Sequence, residues 1–168
     1  NWLDINHPSI SDNLSILIIG DGPEKLKLEK LNKSMQTDIS FLPSDSKSKF
    51  MSKLSNADAC IIPLRNLDIF KGAIPSKIFD SLSLGIPIIL GVDGEAKKLF
   101  IEEARAGIFY EPENYQDLAK VLIKVYYENS YIKKLGENGK AFILNNFDRE
   151  KLNKKLIDQL NNRHYVTD

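Results

Sequence analysis

The chain has 168 residues, of which 42% are hydrophobic and 27% charged, and its 23 basic residues balance 23 acidic ones. This length fits one domain, and the balanced charge argues against disorder and against a nucleic-acid partner. The longest apolar runs, such as residues 86–92, are far shorter than the roughly 20 residues of a membrane span. The sequence therefore predicts a cytoplasmic protein with no transmembrane segment.

Short β-branched runs alternate with helical patterns along the chain, which is typical of a parallel sheet covered by helices. The predicted strands are residues 15–20, 38–43, 58–64, 86–92 and 107–112. The predicted helices are residues 23–34, 46–57, 75–84, 95–105 and 114–129, followed by two or three C-terminal helices. The expected fold is a single three-layer α/β domain over residues 1–168, with about five parallel strands and helices on both faces.

The cysteine and the two histidines predict neither a metal site nor a nucleophile. Cys60 lies in a predicted strand, where a small buried side chain is its expected role. His7 and His164 lie near opposite ends of the chain, without Cys, Asp or Glu at ligand spacing. No Ser-His-Asp or Cys-His pattern stands out, so no catalytic residue is assigned.

A turn and an irregular loop follow two of the predicted strands. Gly20, Asp21 and Gly22 end the first strand, and residues 65–74 follow the third. Gly-Asp-Gly is an ordinary turn, but parallel α/β sheets bind ligands at the carboxyl ends of their strands. A loop as long as residues 65–74 at that edge is often functional.

The segment "GAIPSKIFDSLSLGIPIIL", residues 72–90, combines features of an anion-binding helix start. Pro75 is expected at the first helical position, which leaves the amides of Ser76 and Lys77 free to point outward. Together with the Ser76 hydroxyl, the Lys77 ammonium and the helix dipole, these amides suit a phosphate or a diphosphate.

Asp80 follows Ser76 by four residues and therefore shares its helical face, whereas Ile78, Phe79 and Leu82 are predicted to face the sheet. Its carboxylate could accept both hydroxyls of a ribose. In the alternative interpretation, Pro-Ser-Lys only starts a helix, and Asp80 pairs with Lys77 on a solvated face.

The order of the motifs resembles a known family. The stretches "ILIIGDGPEKLKLEKL", "DISFLP", "LSNADACIIPL", "GAIPSKIFDSLSLGIPIIL" and "GIFYEPENYQDLAKVL" follow one another as in the group 1 (family 4) glycosyltransferases. The similarity runs from about Ile16 to Phe147 and covers the C-terminal, donor-binding Rossmann-like domain of their two-domain GT-B fold.

The resemblance implies where a nucleotide sugar would bind. In the family's Glu-x7-Glu motif, the second glutamate, which binds the ribose, falls on Asp80, and the first falls on Gly72, which has no side chain. The donor-site residues assigned by the residues and the resemblance together are Gly20, Asp21, Gly22, Leu42, Pro43, Gly72, Ala73, Ile74, Pro75, Ser76, Lys77 and Asp80. The resemblance also implies that catalysis needs no metal or other cofactor.

Family members carry a further strand and helix, with a diphosphate-binding Arg and Lys, before the strand that ends in Gly-Asp-Gly-Pro. Only about fifteen residues precede Ile16 here, so we expect either a fragment of a two-domain enzyme without its N-terminal acceptor domain or a reduced relative of the family, inactive by itself. The family's strand order, 3-2-1-4-5-6, loses its strand 1. If the gap closes, residues 15–20 pair with residues 58–63 in a flavodoxin-like order, 2-1-3-4-5. If it stays open, a strand-exchanged dimer is the alternative.

The expected function is transfer of a sugar from a UDP-sugar, or else a GDP-sugar, to a glycan or lipid-linked saccharide in polysaccharide biosynthesis. The full-length enzyme would then act in the cytoplasm or at the inner face of the membrane. The first alternative is a non-catalytic flavodoxin-like or receiver-like interaction module, although receivers need clustered acidic residues and this chain offers Asp21 alone. The second is another enzyme on the same fold, such as a sugar-nucleotide epimerase.

Overall fold

The computed structural model describes Leu3, residues 6–35 and residues 39–163. The five strands are β1 (Ile16–Ile19), β2 (Ile39–Leu42), β3 (Cys60–Pro63), β4 (Ile88–Gly91) and β5 (Gly107–Phe109). The helices are α1 (Pro8–Ser11), α2 (Lys25–Met35), α3 (Lys47–Leu54), α4 (Ser76–Leu84), α5 (Tyr115–Tyr127), α6 (Asn129–Asn146) and α7 (Arg149–Arg163), together with a 3₁₀ turn (Asp68–Phe70) and a π-helix (Lys97–Glu103). The predicted α/β class is confirmed. His164 lies outside the described residues.

All the strand pairs are parallel, but the strands form two sheets. β1 pairs with β2, so that Ile16 is opposite Ile39, whereas β4 lies between β3 and β5 in the second sheet. The expectation of a single sheet of about five strands is therefore wrong in this respect. Because every pair is parallel, the carboxyl ends within each sheet meet at one edge, where ligands are bound in such folds.

The sequence left two alternatives for the gap between β1 and β3, and the closed one is not formed. Among the described residues, no hydrogen-bonded pairing joins β1 to β3, so the flavodoxin-like order 2-1-3-4-5 is not formed. The physical reason is that each strand satisfies its ladder on one side only: β1 with β2, and β3 with β4. Closure would require β1 and β3 to lie about 4.8 Å apart. The apolar side chains of Leu17 and Ile18 in β1 stay largely exposed.

The core surrounds the three-stranded sheet on both faces. Successive residues of β4 point to opposite faces, as strand geometry requires. Ile88 and Leu90 join the core beneath α4 and the π-helix, whereas Ile89 packs with Val121 and Leu122 of α5. Cys60 is half-buried in β3, and burial raises the pKa of its thiol. This environment agrees with the packing role expected of Cys60.

Helix α4 is positioned by its ends and by its apolar face. The left-handed backbone of Gly85, with φ of 79°, ends it as expected, and the Ile86 amide donates to the Ser81 carbonyl. Ile78 and Leu82 are fully buried against the sheet, as predicted. The helix begins at Ser76 rather than at Pro75, because Pro75 has an extended ψ of 130° and occupies the cap position.

The segment predicted as a helix over residues 95–105 adopts wider turns than an α-helix. The amide of Ala104 donates to the carbonyl of Leu99, five residues earlier, at 3.1 Å. The widened helix buries Phe100 completely. The rings of Phe79, Phe100, Phe142 and Phe147 form one aromatic cluster, with contacting centroids 5.1 to 6.3 Å apart.

Two other predicted helices keep most of their apolar side chains at the surface. Helix α2 leaves Leu26, Leu28 and Leu31 exposed. The last helix, α7, likewise exposes the leucines that recur at four-residue spacing, Leu152, Leu156 and Leu160. The apolar pattern thus predicted the helices, but the described residues provide no packing partner for these faces.

Helices α4 and α6 approach each other through glycine. A Cβ atom at Gly136 would lie 2.0 Å from the Gly85 carbonyl oxygen and 3.1 Å from Pro87 Cδ. Since backbone cannot move as a flexible side chain can, only glycine fits at this crossing.

We therefore expect Gly136→Ala to lower the free energy of unfolding by about 1–3 kcal/mol, the usual cost of overpacking. Denaturant unfolding would measure the change. Lys133→Ala, on the exposed face of the same helix, should change stability by no more than about 0.5 kcal/mol. A Gly136→Ala variant as stable as the parent would contradict this account of the crossing.

Candidate functional site

Two loops of the smaller sheet are joined by Asp21. The Gly20 amide donates to the Leu42 carbonyl at 3.1 Å, which extends the β1–β2 pairing beyond the strands. The Ser44 amide then donates to Asp21 Oδ2 at 2.7 Å, and the Ser44 hydroxyl donates to the same oxygen. Lys25 donates to the other carboxylate oxygen at 3.0 Å. Asp21 therefore binds protein donors with both of its oxygens.

These contacts change the acidity of Asp21. The Ser44 hydroxyl, then the Lys25 ammonium and the Ser44 amide, hold the pKa of the Asp21 carboxyl at about 2, below its ordinary value of 3.8. Hydrogen bonds and positive charge have this effect because both favour the ionised form. Asp21 thus remains a carboxylate that fastens the loop after β1 to the loop after β2.

An ion pair connects the loop after β2 with the larger sheet. Lys47 is the first residue of α3, and its Nζ lies 3.1 Å from Oδ1 of Asp80 on α4. The Asp80 side chain is 23% exposed, and Asp80 Oδ2 has no described partner. The alternative pairing of Asp80 with Lys77 is therefore wrong, since the ion-pair partner of Asp80 is Lys47, from another element.

The N-terminus of α4 keeps its hydrogen-bonding capacity. Ile78 is the first residue whose amide bonds back, to the Pro75 carbonyl at 3.0 Å. Among the described residues, neither the Ser76 nor the Lys77 amide has an acceptor, and no carboxylate pairs with the Lys77 ammonium. These donors lie within about one helical turn of Asp80 and give this end of the helix a positive potential.

The loop before α4 is held against the loop after β4. The Glu95 amide donates to the Lys71 carbonyl at 2.7 Å. A Cβ at Gly94 would lie 2.2 Å from that carbonyl oxygen, and Gly94 has a φ of 91°, so glycine is needed for both space and conformation. This contact holds Lys71 in place and with it the start of residues 72–75, which lead into α4.

The predicted residues lie along one edge of the molecule. Gly20, Asp21 and Gly22 adjoin Leu42, Pro43 and Ser44 through the Asp21 contacts, and Lys47 connects this group with Asp80. Ala73, Ile74, Pro75, Ser76 and Lys77 lead into α4. Gly72 stands where the family motif has its first glutamate. Apart from Gly72 and its chain neighbours, no atom of the described residues lies within 4 Å of the position of a Cβ at Gly72, so no other described side chain fills the space of that glutamate.

The sequence did not single out Ser44 or Lys47. Both follow the predicted strand over residues 38–43, and strand ends are where ligand-edge residues are expected. Lys47 is one of three lysines in the first seven residues of α3, at positions 47, 49 and 53, so nothing in the sequence distinguished it from its neighbours. Only the tertiary structure shows which lysine meets Asp80.

The candidate edge is separate from a neighbouring groove. A groove of about 480 Å³ lies beside it, at the ends of β3 and β5, lined by Pro63, Leu64, Arg65, Phe70, Tyr110, Glu113, Asn114, Tyr115 and Leu118. None of the predicted donor-site residues lines this groove. A ligand that contacts both Asp80 and the loop after β2 would lie outside this groove, at the junction of the two sheets that the Lys47–Asp80 pair crosses.

Within the described ranges, no group of three or more His, Cys, Asp and Glu side chains converges as metal ligands would. Likewise, none of the described helices has the length and apolarity to cross a membrane.

Comparison with known proteins identifies the family. A family model described as glycosyl transferases group 1 matches residues 6–142. The chain belongs to this family. The group 1 glycosyltransferase match confirms the resemblance seen in the order of the sequence motifs. No protein with a curated description matches the sequence.

Solved glycosyltransferases share the fold at low sequence identity. Sucrose-phosphate synthase from Thermosynechococcus elongatus matches 90% of this chain and 39% of its own, with 15% identity and a TM-score of 0.74. HepE from Anabaena, in complex with UDP-glucose, matches 87% of this chain and 40% of its own, with 15% identity and a TM-score of 0.71. TarM from S. aureus, in a complex that contains UDP, matches 89% of this chain and 29% of its own, with 13% identity and a TM-score of 0.74.

These matches establish a Rossmann-like glycosyltransferase fold. The chain spans less than half the length of each of the three. Each match includes most of this chain, so the similarity in fold extends over both of its sheets.

The Asp21 contacts generate a pH prediction. The Asp21 carboxyl should titrate at about pH 2, and the Ser44 amide resonance should shift with it. Because the pKa is lowered in the folded chain, the stabilisation is complete above the ordinary value near 4 and is lost as the pH falls through about 2. Carboxyl chemical shifts recorded against pH would measure the midpoint. Ser44→Ala should raise it, and a midpoint near 4 in the parent protein would contradict these contacts.

Proposed function

We propose that this chain is the donor-binding domain of a group 1 glycosyltransferase and binds a nucleotide-diphosphate sugar, preferentially a UDP-sugar. The observation that carries the proposal is on α4. One carboxylate oxygen of Asp80 is unpartnered within about one turn of two free backbone amides and the Lys77 ammonium. A ribose with an attached diphosphate matches this combination of one acceptor and several donors.

Each part of the donor has a matching group on this edge. Asp80 Oδ2 would accept the ribose hydroxyls, while the Ser76 and Lys77 amides and the Lys77 ammonium would bind the diphosphate. Leu42 and Pro43 would lie along the base, and Gly20 and Gly22 leave the backbone of the first loop open for close approach. Open space at Gly72 and the backbone of Ala73, Ile74 and Pro75 would adjoin the sugar.

The relatives support the choice of nucleotide. HepE has been solved with UDP and with UDP-glucose, and a TarM complex also contains UDP. By analogy we propose UDP ahead of GDP, and glycosyl transfer as the reaction of the whole enzyme. Donor binding here relies on fixed amides and lysines, and we propose that it proceeds without a metal.

In this proposal, another part of the enzyme binds the acceptor and contributes the groups that catalyse sugar transfer. The chain spans less than half of its solved relatives, so an N-terminal domain would supply the acceptor site for a glycan or lipid-linked saccharide. The isolated chain would then bind donor without turnover. Polysaccharide biosynthesis, a cytoplasmic location and a strand-exchanged dimer across the unpaired edges of β1 and β3 stay predictions of the sequence.

The interaction-module alternative is less well supported by the geometry. A flavodoxin-like order requires β1 to pair with β3, and this pairing is absent among the described strands. A receiver needs an accessible acidic cluster, whereas both oxygens of Asp21 bind Ser44 and Lys25. No observation favours an epimerase.

The proposal predicts that UDP perturbs the amide resonances of residues 20–23, 42–44 and 72–81. Asp80→Ala should weaken UDP binding by about 1.5–3 kcal/mol, roughly tenfold to a hundredfold, because a charged acceptor for the ribose is lost. An amide chemical-shift titration of both proteins with UDP, GDP and ADP would measure the affinities.

Glu137→Ala provides the control for Asp80→Ala. Glu137 is an exposed carboxylate on α6, paired with Lys134 at 3.4 Å, so its removal changes the net charge equally. This variant should bind UDP as the parent does. The absence of resonance shifts with all three nucleotides in the parent chain would refute the proposed donor site.

Lys77→Ala tests the diphosphate contact. Removing this exposed cation should weaken UDP binding by about 1 kcal/mol, roughly fivefold, at low ionic strength. The difference from the parent should shrink as salt is added, since salt screens the attraction between exposed charges. Titrations at two ionic strengths would show this, and a difference that does not change with salt would contradict a charge contact.

A further inference from the structure

We infer that Lys47 is a second diphosphate-binding cation of the donor site, positioned by Asp80. This inference rests on the proposed function, because it deepens the assignment of the same site. It concerns a residue that neither the sequence motifs nor the family motif assign. It is based on the Lys47–Asp80 ion pair, which joins α3, the helix after β2 of the smaller sheet, to α4, the helix between β3 and β4 of the larger sheet.

The Lys47 ammonium is exposed and can bind a second acceptor besides Asp80. A lysine ammonium has three N–H donors, and the only partner of Lys47 among the described residues is Asp80, in an ion pair with Nζ 3.1 Å from Oδ1. No second partner of Lys47 occurs among the described residues, and its side chain is 77% exposed. The ammonium therefore keeps donors for a further acceptor beside the carboxylate proposed to hold the ribose.

A nucleotide bound in this way would place phosphate near Lys47. If the ribose hydroxyls bind Asp80 Oδ2, the diphosphate extends from the same sugar toward the N-terminus of α4. The start of that helix lies about one turn from Asp80, so a cation 3.1 Å from Asp80 Oδ1 is close to the same path. Lys47 can contact phosphate without leaving the carboxylate.

The charge balance also favours a second lysine. A diphosphate linked to a ribose and a sugar has two phosphate groups, each with a negative charge. Lys77 supplies one positive charge and the helix N-terminus about half a charge. Asp80 subtracts one, so without Lys47 the protein groups offset only about a quarter of the diphosphate charge. Lys47 neutralises Asp80 and restores the attraction for the phosphates.

A competing interpretation makes the opposite prediction. If Lys47 only occupies Asp80 in the empty protein, it competes with the ribose, and its removal should tighten UDP binding. If Lys47 contributes to the diphosphate contact, its removal should weaken UDP binding. The direction of the change therefore separates the two interpretations.

The test compares UDP affinities of the parent chain, Lys47→Met, Lys47→Arg and Lys49→Met by amide chemical-shift titration. Lys47→Met should weaken UDP binding about fivefold and make it less dependent on salt, whereas Lys47→Arg should retain most of the affinity. Lys49→Met is the matched control, since Lys49 is 70% exposed on the same helix and pairs with Asp45 at 3.4 Å instead. It should stay within about twofold of the parent.

Uridine separates a phosphate contact from a structural role. Uridine has the ribose and base but no phosphate, so its shifts should be as large in Lys47→Met as in the parent. Equal loss of uridine and UDP binding, or UDP binding as tight as in the parent, would overturn the inference for Lys47 alone. A parent chain without UDP shifts would instead overturn the proposed function, which keeps the two failures distinguishable.

Discussion

The packing of α4 between the three-stranded sheet and α6 is the constraint on which the rest of the site depends. Ile78 and Leu82 are completely buried, and Gly136 lets the backbone of α6 reach Gly85. With the helix fixed along this face, its N-terminus must emerge beside the carboxyl ends of the strands. Apolar burial thereby holds the helix that carries the free amides and Asp80 in place.

Two carboxylates on the same edge have different tasks because their partners differ. Asp21 binds protein donors with both oxygens, which lowers the pKa of its carboxyl and fastens two loops of the smaller sheet. Asp80 forms an ion pair with Lys47 through one oxygen, and its other oxygen has no partner among the described residues. The first carboxylate is structural, and the second is suited to a ligand.

A ligand bound at the junction between the two sheets would also stabilise the contact between them. No strand pairing crosses it in the described part of the chain, and an exposed ion pair such as Lys47–Asp80 contributes only about 0–1 kcal/mol. A nucleotide that contacts both sides would add its binding free energy to this junction, in proportion to the logarithm of its concentration. Donor binding and the relative stability of the two halves are then linked.

The sequence by itself determined the α/β class, the order of the strands and helices, the buried face of α4 and its glycine stop, because apolar periodicity and turn residues are local signals. It also placed Gly20, Asp21, Gly22 and Pro43 directly after two strands. Only the tertiary structure decided that β1 and β3 stay unpaired, that residues 97–103 widen into a π-helix, and that Lys47 rather than Lys77 meets Asp80. Strand pairing across a crossover and ion pairs between distant elements depend on how the helices pack, and no local pattern records that.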